Sequence, residues 1–472
     1  MIAGMRYPAA GKWARFVQCL FLCLSFSLFF SPVGAGAYDL SIEDERIAGE
    51  RFVDDVKKQF EVMDDDFLNT YINDLGKYLT EPLETKPFPF RFYIINDRTL
   101  NAFAGPGGHI FVFSGLVEIM TSIDELSSVI CHEIGHVSAR HIAQRIEQNK
   151  KIGLATMATV LAAVLIGGEA SGPIITGSIA AGAQAQLHYS REDERQADQL
   201  GFKYMHASGY HPGGMISILE KLQRGQWGQG DRIPPYLRTH PAGPERISRA
   251  EAMLAKFDPG PEKSEAVRFS DDFPMFRTIM RALNPDPYEA ERLFLMDQEK
   301  APESIMAHLG LGIVHKRKSD YEKAVHHLET ALNDRPDSVP ILCHLGETYQ
   351  LQGKDREAIR ILEKALRIDN RDRAALNLIG ASYQSVEDYP RAVHVYERLT
   401  TIPPVRDEAF YRLGVAYGRQ NRLAEAHYNF GIYFKRQKER KKALFHFDKA
   451  ASFASSDPAL REKIEENRKD LR

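Results

Sequence analysis

Cysteine is scarce in this chain: four occur in 472 residues, and two of them, Cys19 and Cys23, lie in its first apolar run. The other two, Cys131 and Cys343, fall on apolar helical positions in different halves of the chain. That excludes a disulfide framework and predicts two buried thiols. An excess of one charge is also lacking. With 61 basic and 64 acidic residues the formal net charge is −3, so no nucleic acid is expected as a partner. No apolar run reaches the ~20 residues that a helix needs to cross a bilayer; the longest are "FVQCLFLCLSFSLFF" (16–30) and "IGLATMATVLAAVLIGG" (152–168). What remains is the composition of a folded protein, 43% apolar and 26% charged, and a length suited to two or three domains.

Arg6, Lys12 and Arg15 precede the first apolar run, and Ala35-Gly36-Ala37 closes it with small residues. A basic start, a short apolar core and a small-x-small end describe a secretory signal peptide. Residues 1–37 are therefore expected to be removed, leaving a mature chain that works outside the cytoplasm.

The mature chain reads as two parts, 38–265 and 270–472. In the second, Ala290, Ala324, Ala358, Ala392 and Ala426 recur every 34 residues. A large apolar residue follows each four positions later: Phe294, Leu328, Leu362, Tyr396 and Phe430. Gly312, Gly346, Gly380 and Gly414 precede the last four alanines by 12 positions, where two helices must approach closely. This is the tetratricopeptide period, and it predicts an α-solenoid with a groove for protein or peptide. Thr278 replaces the glycine in a weaker first repeat, and Gly431, Ala443 and Phe447 restart the pattern half a repeat out of register. The basic run "KRQKERKK" (435–442) reads as a solvated helix-turn face.

In the first part, helical periodicity over 41–80 gives way to "FPFRFYIIND" and "GGHIFVFSGL", β-rich runs of a small sheet. A helix starting near Ser122 then carries "VICHEIGHVSARH". Residues four apart on a helix are rotated by only about 40°, so His132 and His136 point the same way and can close on one ion. Glu133, turned by about 100°, falls beside the ion and can take a proton from the attacking water. That is the chemistry of H-E-x-x-H: two zinc ligands and a base. His141 is swung too far round to join the pair and reads as a supporting or surface group. A third ligand is needed, and "SREDERQADQLG" offers one on a later helix. Glu194 and Asp198 share a face there, so that one can ligate while the other orients an imidazole. The Gly- and Pro-rich stretch 223–247 ends in Thr239-His240-Pro241 and Arg246. A neutral imidazole on such a loop can take a fourth position on zinc, switching a catalytic site to a closed one.

Four blocks together, "NAFAGPGGHIFVFSGL", "ELSSVICHEIGHVSARH", "YSREDERQADQLG" and "RTHPAGPERI", resemble the CAAX-prenyl-protease and HtpX superfamily of zinc metallopeptidases. With a signal peptide and repeats, the chain is most similar to the superfamily's periplasmic branch. The fold expected is mainly α with a small β-sheet: a gluzincin-type metalloprotease domain followed by a tetratricopeptide solenoid. The resemblance implies one zinc per subunit on His132, His136 and Glu194, Glu133 as general base, and Asp198 as catalytic support. It implies His240 and Arg246 as cleft residues for the oxyanion, and a strand at Asn101, Ala102, Phe103 and Ala104 that pairs with extended substrate. Cys131 departs from the small residue usual before the first ligand, and is expected in the core behind the site. Relatives embedded in membranes have spanning helices where this chain has 152–187. That segment is expected to form a helical hairpin over the active-site side, with shallow peripheral membrane contact as the second reading. The function implied is periplasmic cleavage of envelope proteins in outer-membrane β-barrel assembly and quality control. Its partners would be those proteins and their assembly machinery. The alternative is a periplasmic chaperone or adaptor whose protease is self-inhibited.

Overall fold

A computed structural model describes residues 41–148, 189–224, 234–241, 243–260, 263–455 and 457–471. Residues 1–37, expected to form a leader, the apolar segment 152–187 and residues 225–233 of the histidine-bearing loop lie outside the described residues.

The first part opens with two amphipathic helices, α1 (Ile42–Gln59) and α2 (Asp66–Thr80). The Ser41 hydroxyl and the Asp65 carboxylate accept hydrogen bonds from the first turns of α1 and α2, as N-caps do. Three short strands follow: β1 (Arg91–Ile95), β2 (Ala102–Gly105) and β3 (His109–Phe113). Their order is β1-β3-β2, with β1 parallel and β2 antiparallel to the central β3. Gly107 and Gly108 make the turn between β2 and β3 at φ of +72° and +83°, a region that side chains disfavour.

Past the short α3 (Ser114–Glu118) comes α4 (Ile123–Ser138), begun by the Ser122 hydroxyl accepting from the Glu125 amide. From Glu125 to Val137 every residue of α4 is buried. It is enclosed by the sheet on one side and by α6 (Arg191–Ser208) and α7 (Gly213–Gln223) on others. Two glycines set how closely α4 and α6 approach. A Cβ on Gly135 would lie 2.8 Å from the Ala197 carbonyl, and one on Gly201 would lie 3.2 Å from the His132 amide. The remaining elements of this part are α5 (His141–Gln148), α8 (Pro235–Thr239) and α9 (Pro244–Leu254).

The second part is a stack of antiparallel helix pairs. They are α10 (Ser264–Ala282) with α11 (Pro287–Lys300), α12 (Ile305–Arg317) with α13 (Tyr321–Asp334), and α14 (Val339–Leu351) with α15 (Asp355–Ile368). Next come α16 (Arg373–Ser385) with α17 (Tyr389–Leu399), and α18 (Asp407–Arg419) with α19 (Leu423–Arg436). α20 (Arg440–Phe453) and α21 (Pro458–Lys469) end the stack. The period-34 glycines each meet the large apolar residue 16 positions on. A Cβ on Gly312, Gly346, Gly380 or Gly414 would come within 2.6, 2.7, 2.6 or 2.8 Å of Leu328, Leu362, Tyr396 or Phe430. Gly431 meets Phe447 in the same way at 2.5 Å, so α19 and α20 repeat the hairpin half a period out of step. Between hairpins a second device recurs: Tyr349, Tyr383 and Tyr417 donate to Glu329, Glu363 and Glu397 of the preceding repeat.

The array is docked against the first part. The Tyr71 ring stacks on Phe276 at 4.3 Å, and its hydroxyl donates to the Phe269 carbonyl at 2.7 Å. Asp66, largely buried, pairs with Arg373 at 3.2 Å and Arg406 at 2.9 Å. One continuous apolar cluster runs from α1 and the sheet into the repeats.

Candidate metal centre

α4 delivers His132 and His136 one turn apart, α6 delivers Glu194 opposite them, and the segment after α8 delivers His240. All four are buried, and one donor atom from each lies within 4.8 Å of the others. The separations are 3.1 Å between His132 Nε2 and His136 Nε2, 3.3 Å from His132 Nε2 to His240 Nδ1, and 2.9 Å from His240 Nδ1 to Glu194 Oε1. His136 Nε2 lies 3.4 Å from Glu194 Oε1. Tetrahedral zinc with bonds of about 2.0–2.1 Å requires donor–donor edges near ~3.3 Å. Three nitrogens and a carboxylate oxygen at these spacings therefore fit a small divalent metal, and the fit uses His240 as the fourth donor.

The surroundings fix the tautomers. His132 Nδ1 donates to Asp198 Oδ1 at 2.9 Å, leaving Nε2 with its lone pair toward the cluster. His136 Nδ1 lies 3.0 Å from His141 Nδ1, and His141 Nε2 lies 3.0 Å from Gln196 Oε1. A proton on His141 Nε2 makes its Nδ1 the acceptor, so His136 also turns a lone pair inward. His141 is thus a buried supporting group. Arg246 ties the acidic side together: Nη2 and Nε donate to Asp198 at 2.7 and 2.8 Å, and Nη1 lies 2.8 Å from Glu194 Oε2.

Burial pushes the Glu194 and Asp198 carboxyls up, but the neighbouring groups outweigh it. His240 and Arg246 hold Glu194 well below the usual range, and the Arg246 charge with the His132 hydrogen bond brings Asp198 to about 2. Burial pushes the His136 imidazole down. It opposes protonation of His240 too, yet Glu194 and Glu133 raise that group overall. A metal would replace this proton as the positive centre.

Glu133 is fully buried, and neither of its oxygens has a hydrogen bond among the described residues. His240 Nε2 lies 3.6 Å from its Oε1. His240 therefore both supplies the fourth donor atom of the cluster and lies beside the Glu133 carboxylate. Two tyrosines hold it there, stacked on its ring with centroids 5.0 Å (Tyr189) and 4.8 Å (Tyr236) away. Neither was singled out from the sequence, although Tyr236 sits one helical turn before His240. Arg145, over the Tyr189 ring at 4.1 Å and paired with Asp193 at 2.9 Å, braces this wall.

Asn101, Ala102, Phe103 and Ala104 lie on and just before the edge strand β2. All four are fully buried, Ala102–Ala104 paired on one side with β3, and the strand packs on α4. The Tyr236 amide donates to the Leu100 carbonyl at 3.2 Å, so the His240 segment is fastened beside the start of that strand. Cys131 and Cys343 are both free and buried, and burial pushes the Cys131 thiol far up.

Residues 67–254 match the model of peptidase family M48, and 303–371 and 378–428 match tetratricopeptide models. The "Beta-barrel assembly-enhancing protease" of Yersinia pestis is 28% identical over 78% of this chain and 76% of its own length. The "Mitochondrial metalloendopeptidase OMA1" of Arabidopsis thaliana is 30% identical over 49% of this chain and 46% of its own length. "Metalloprotease LoiP" of Escherichia coli (strain K12) is 30% identical over 40% of this chain and 69% of its own length. No helix among the described residues is long and apolar enough to cross a membrane. With the donor cluster, the repeats and these relatives in hand, the chain belongs to peptidase family M48, a metalloendopeptidase that carries tetratricopeptide repeats behind its protease domain.

Proposed function

We propose that this chain is a periplasmic zinc endopeptidase that rests in a closed state, its own His240 serving as the fourth ligand. The observation that carries this is the spacing of the four donors, 2.9–3.4 Å over four of their edges, with His240 Nδ1 supplying two of those edges. His132, His136 and Glu194 would hold the metal in the open enzyme as well. Zinc bound there would polarise the scissile carbonyl and acidify water. Glu133 takes a proton from the attacking water and returns it to the leaving amine. Asp198 keeps His132 in the ligating tautomer, and Arg246 fixes Asp198 and Glu194 in place. Activation withdraws the segment carrying Tyr236 and His240. That frees Glu133 and opens the flank of Asn101–Ala104, to which an extended peptide adds as a strand. Clients are unfolded or misassembled envelope proteins, outer-membrane β-barrels among them, with the repeats docking these substrates or the assembly machinery. The relatives named for β-barrel assembly support this client class. The closed centre also favours a second reading, a chaperone or adaptor whose protease is seldom used.

The test is proteolysis of unfolded casein by the zinc-loaded His240→Ala chain. A guard predicts faster cleavage with the metal retained. If His240 is instead an oxyanion donor, turnover falls by about a hundredfold. A slower, zinc-loaded and monodisperse variant refutes the guard. In cells, full rescue by Glu133→Gln would favour the chaperone reading.

A further inference from the structure

At three positions the α12–α13 hairpin carries histidine where the next two repeats carry an apolar residue or tyrosine. His308 replaces the apolar Leu342 and Leu376, and His327 replaces Ile361 and Val395. His315 replaces Tyr349, Tyr383 and Tyr417, the tyrosines that link one repeat to the next. Imidazoles in place of an apolar contact cost stability unless something binds them.

Their geometry shows what they present. His308 Nδ1 and His327 Nδ1 face each other at 3.0 Å, close to the 3.1 Å between the two histidines of H-E-x-x-H. His308 Nε2 lies 3.2 Å from the Pro302 carbonyl, so the proton is on Nε2 and a lone pair is on Nδ1. A ligating histidine is oriented by this kind of outer hydrogen bond. The His315 ring lies parallel to that of His327 with centroids 5.5 Å apart. His315 is buried, and its Nδ1 has no hydrogen-bond partner among the described residues. Distance alone is not the argument. His427 and His446 also bring Nδ1 atoms to 2.9 Å, but there the His427 ring is stacked on Phe453 and no carbonyl holds either Nε2 among the described residues.

We propose that His308 Nδ1 and His327 Nδ1 form a second transition-metal site, separate from the catalytic centre, that clips α12 to α13. Imidazole donors select Zn2+, Cu2+ or Ni2+ over Mg2+ or Ca2+. No third ligand atom among the described residues completes a cage, so water fills the remaining positions and binding is weaker than at the catalytic centre.

The experiment counts zinc on the full chain by equilibrium dialysis and elemental analysis. Wild type is expected to hold two equivalents. His308→Leu with His327→Ile, the residues that the next repeat carries there, is expected to hold one and to cleave casein as wild type does. His136→Ala should lose the catalytic equivalent but keep the other, and nitrogen coupling in the Cu2+ electron paramagnetic resonance spectrum of that variant should report two imidazoles. The site is refuted if His308→Leu/His327→Ile holds as much zinc as wild type, or if His136→Ala holds none. Because the two variants lose different equivalents, failure of the repeat site and failure of the catalytic assignment read out separately.

Discussion

Replacing Arg246 with alanine tests the electrostatic logic of the catalytic centre. The residue is 3% exposed, and its guanidinium neutralises two carboxylates, Asp198 through Nε and Nη2 and Glu194 through Nη1. Removing one partner of a buried ion pair costs roughly 3–5 kcal/mol, because the other charge is left unpaired in low dielectric. For a domain of this size ~1 kcal/mol corresponds to ~2–4 °C in Tm, so metal-free Arg246→Ala should melt about 6–20 °C below metal-free wild type. Added zinc should narrow the gap, since it would neutralise Glu194. Acidity offers a second handle. Asp198 titrates at about 2 in the folded protein, below its usual 3.8, against burial and through Arg246 and His132. A depressed carboxyl stabilises the fold above its unfolded pKa and loses that contribution as pH falls from about 4 through about 2. At ~1.36 kcal/mol per unit this amounts to about 2 kcal/mol. In Arg246→Ala that acid-dependent loss should largely vanish. The measurement is differential scanning calorimetry from pH 7 down to the acid limit, with and without zinc. A metal-free variant melting within 2 °C or so of wild type would show that these carboxylates are not held as buried charges, and the reasoning would fail.

Three further outcomes follow from the same contacts. Glu194→Ala should lose the catalytic zinc, whereas Glu133→Gln should retain it and lose cleavage, since the base is not a ligand; metal analysis beside a casein assay separates the two. Gly380→Ala places a Cβ 2.6 Å from the Tyr396 ring and should cost about 1–2 kcal/mol after the helix-propensity gain. Gly418→Ala, whose Cβ meets only Ala426 at 3.8 Å, should instead stabilise by up to ~1 kcal/mol, and denaturant unfolding reads both signs. Arg406→Ala leaves Asp66 with Arg373 alone and should weaken docking of the repeats by about 1–3 kcal/mol, seen as faster amide exchange in α2.

Local periodicity made much of this protein legible in advance. H-E-x-x-H fixes His132, Glu133 and His136 relative to one another because a helix allows one geometry for that spacing. Ser122 and Ser190 announce their helices because an N-cap serves amides only three residues away. The 34-residue recurrence of alanine and glycine located the hairpins, half-period shift included, because each glycine is matched to a side chain 16 positions on. What the tertiary structure alone decided involves residues that no repeat or turn relates. Tyr189 and Tyr236 clamp His240 from segments about 50 residues apart, and the same loop that offers His240 as a ligand is fastened beside the strand expected to receive substrate. The resemblance implied a substrate-pairing strand at Asn101–Ala104; that α4 and the tertiary packing bury these residues is decided by the fold. Tyr71 and Asp66 bind the protease part to repeats 200 to 340 residues away. Spacing along a helix is imposed by the backbone and can be counted. Which distant surfaces meet depends on the shape and charge of both, and these exist only once each has folded.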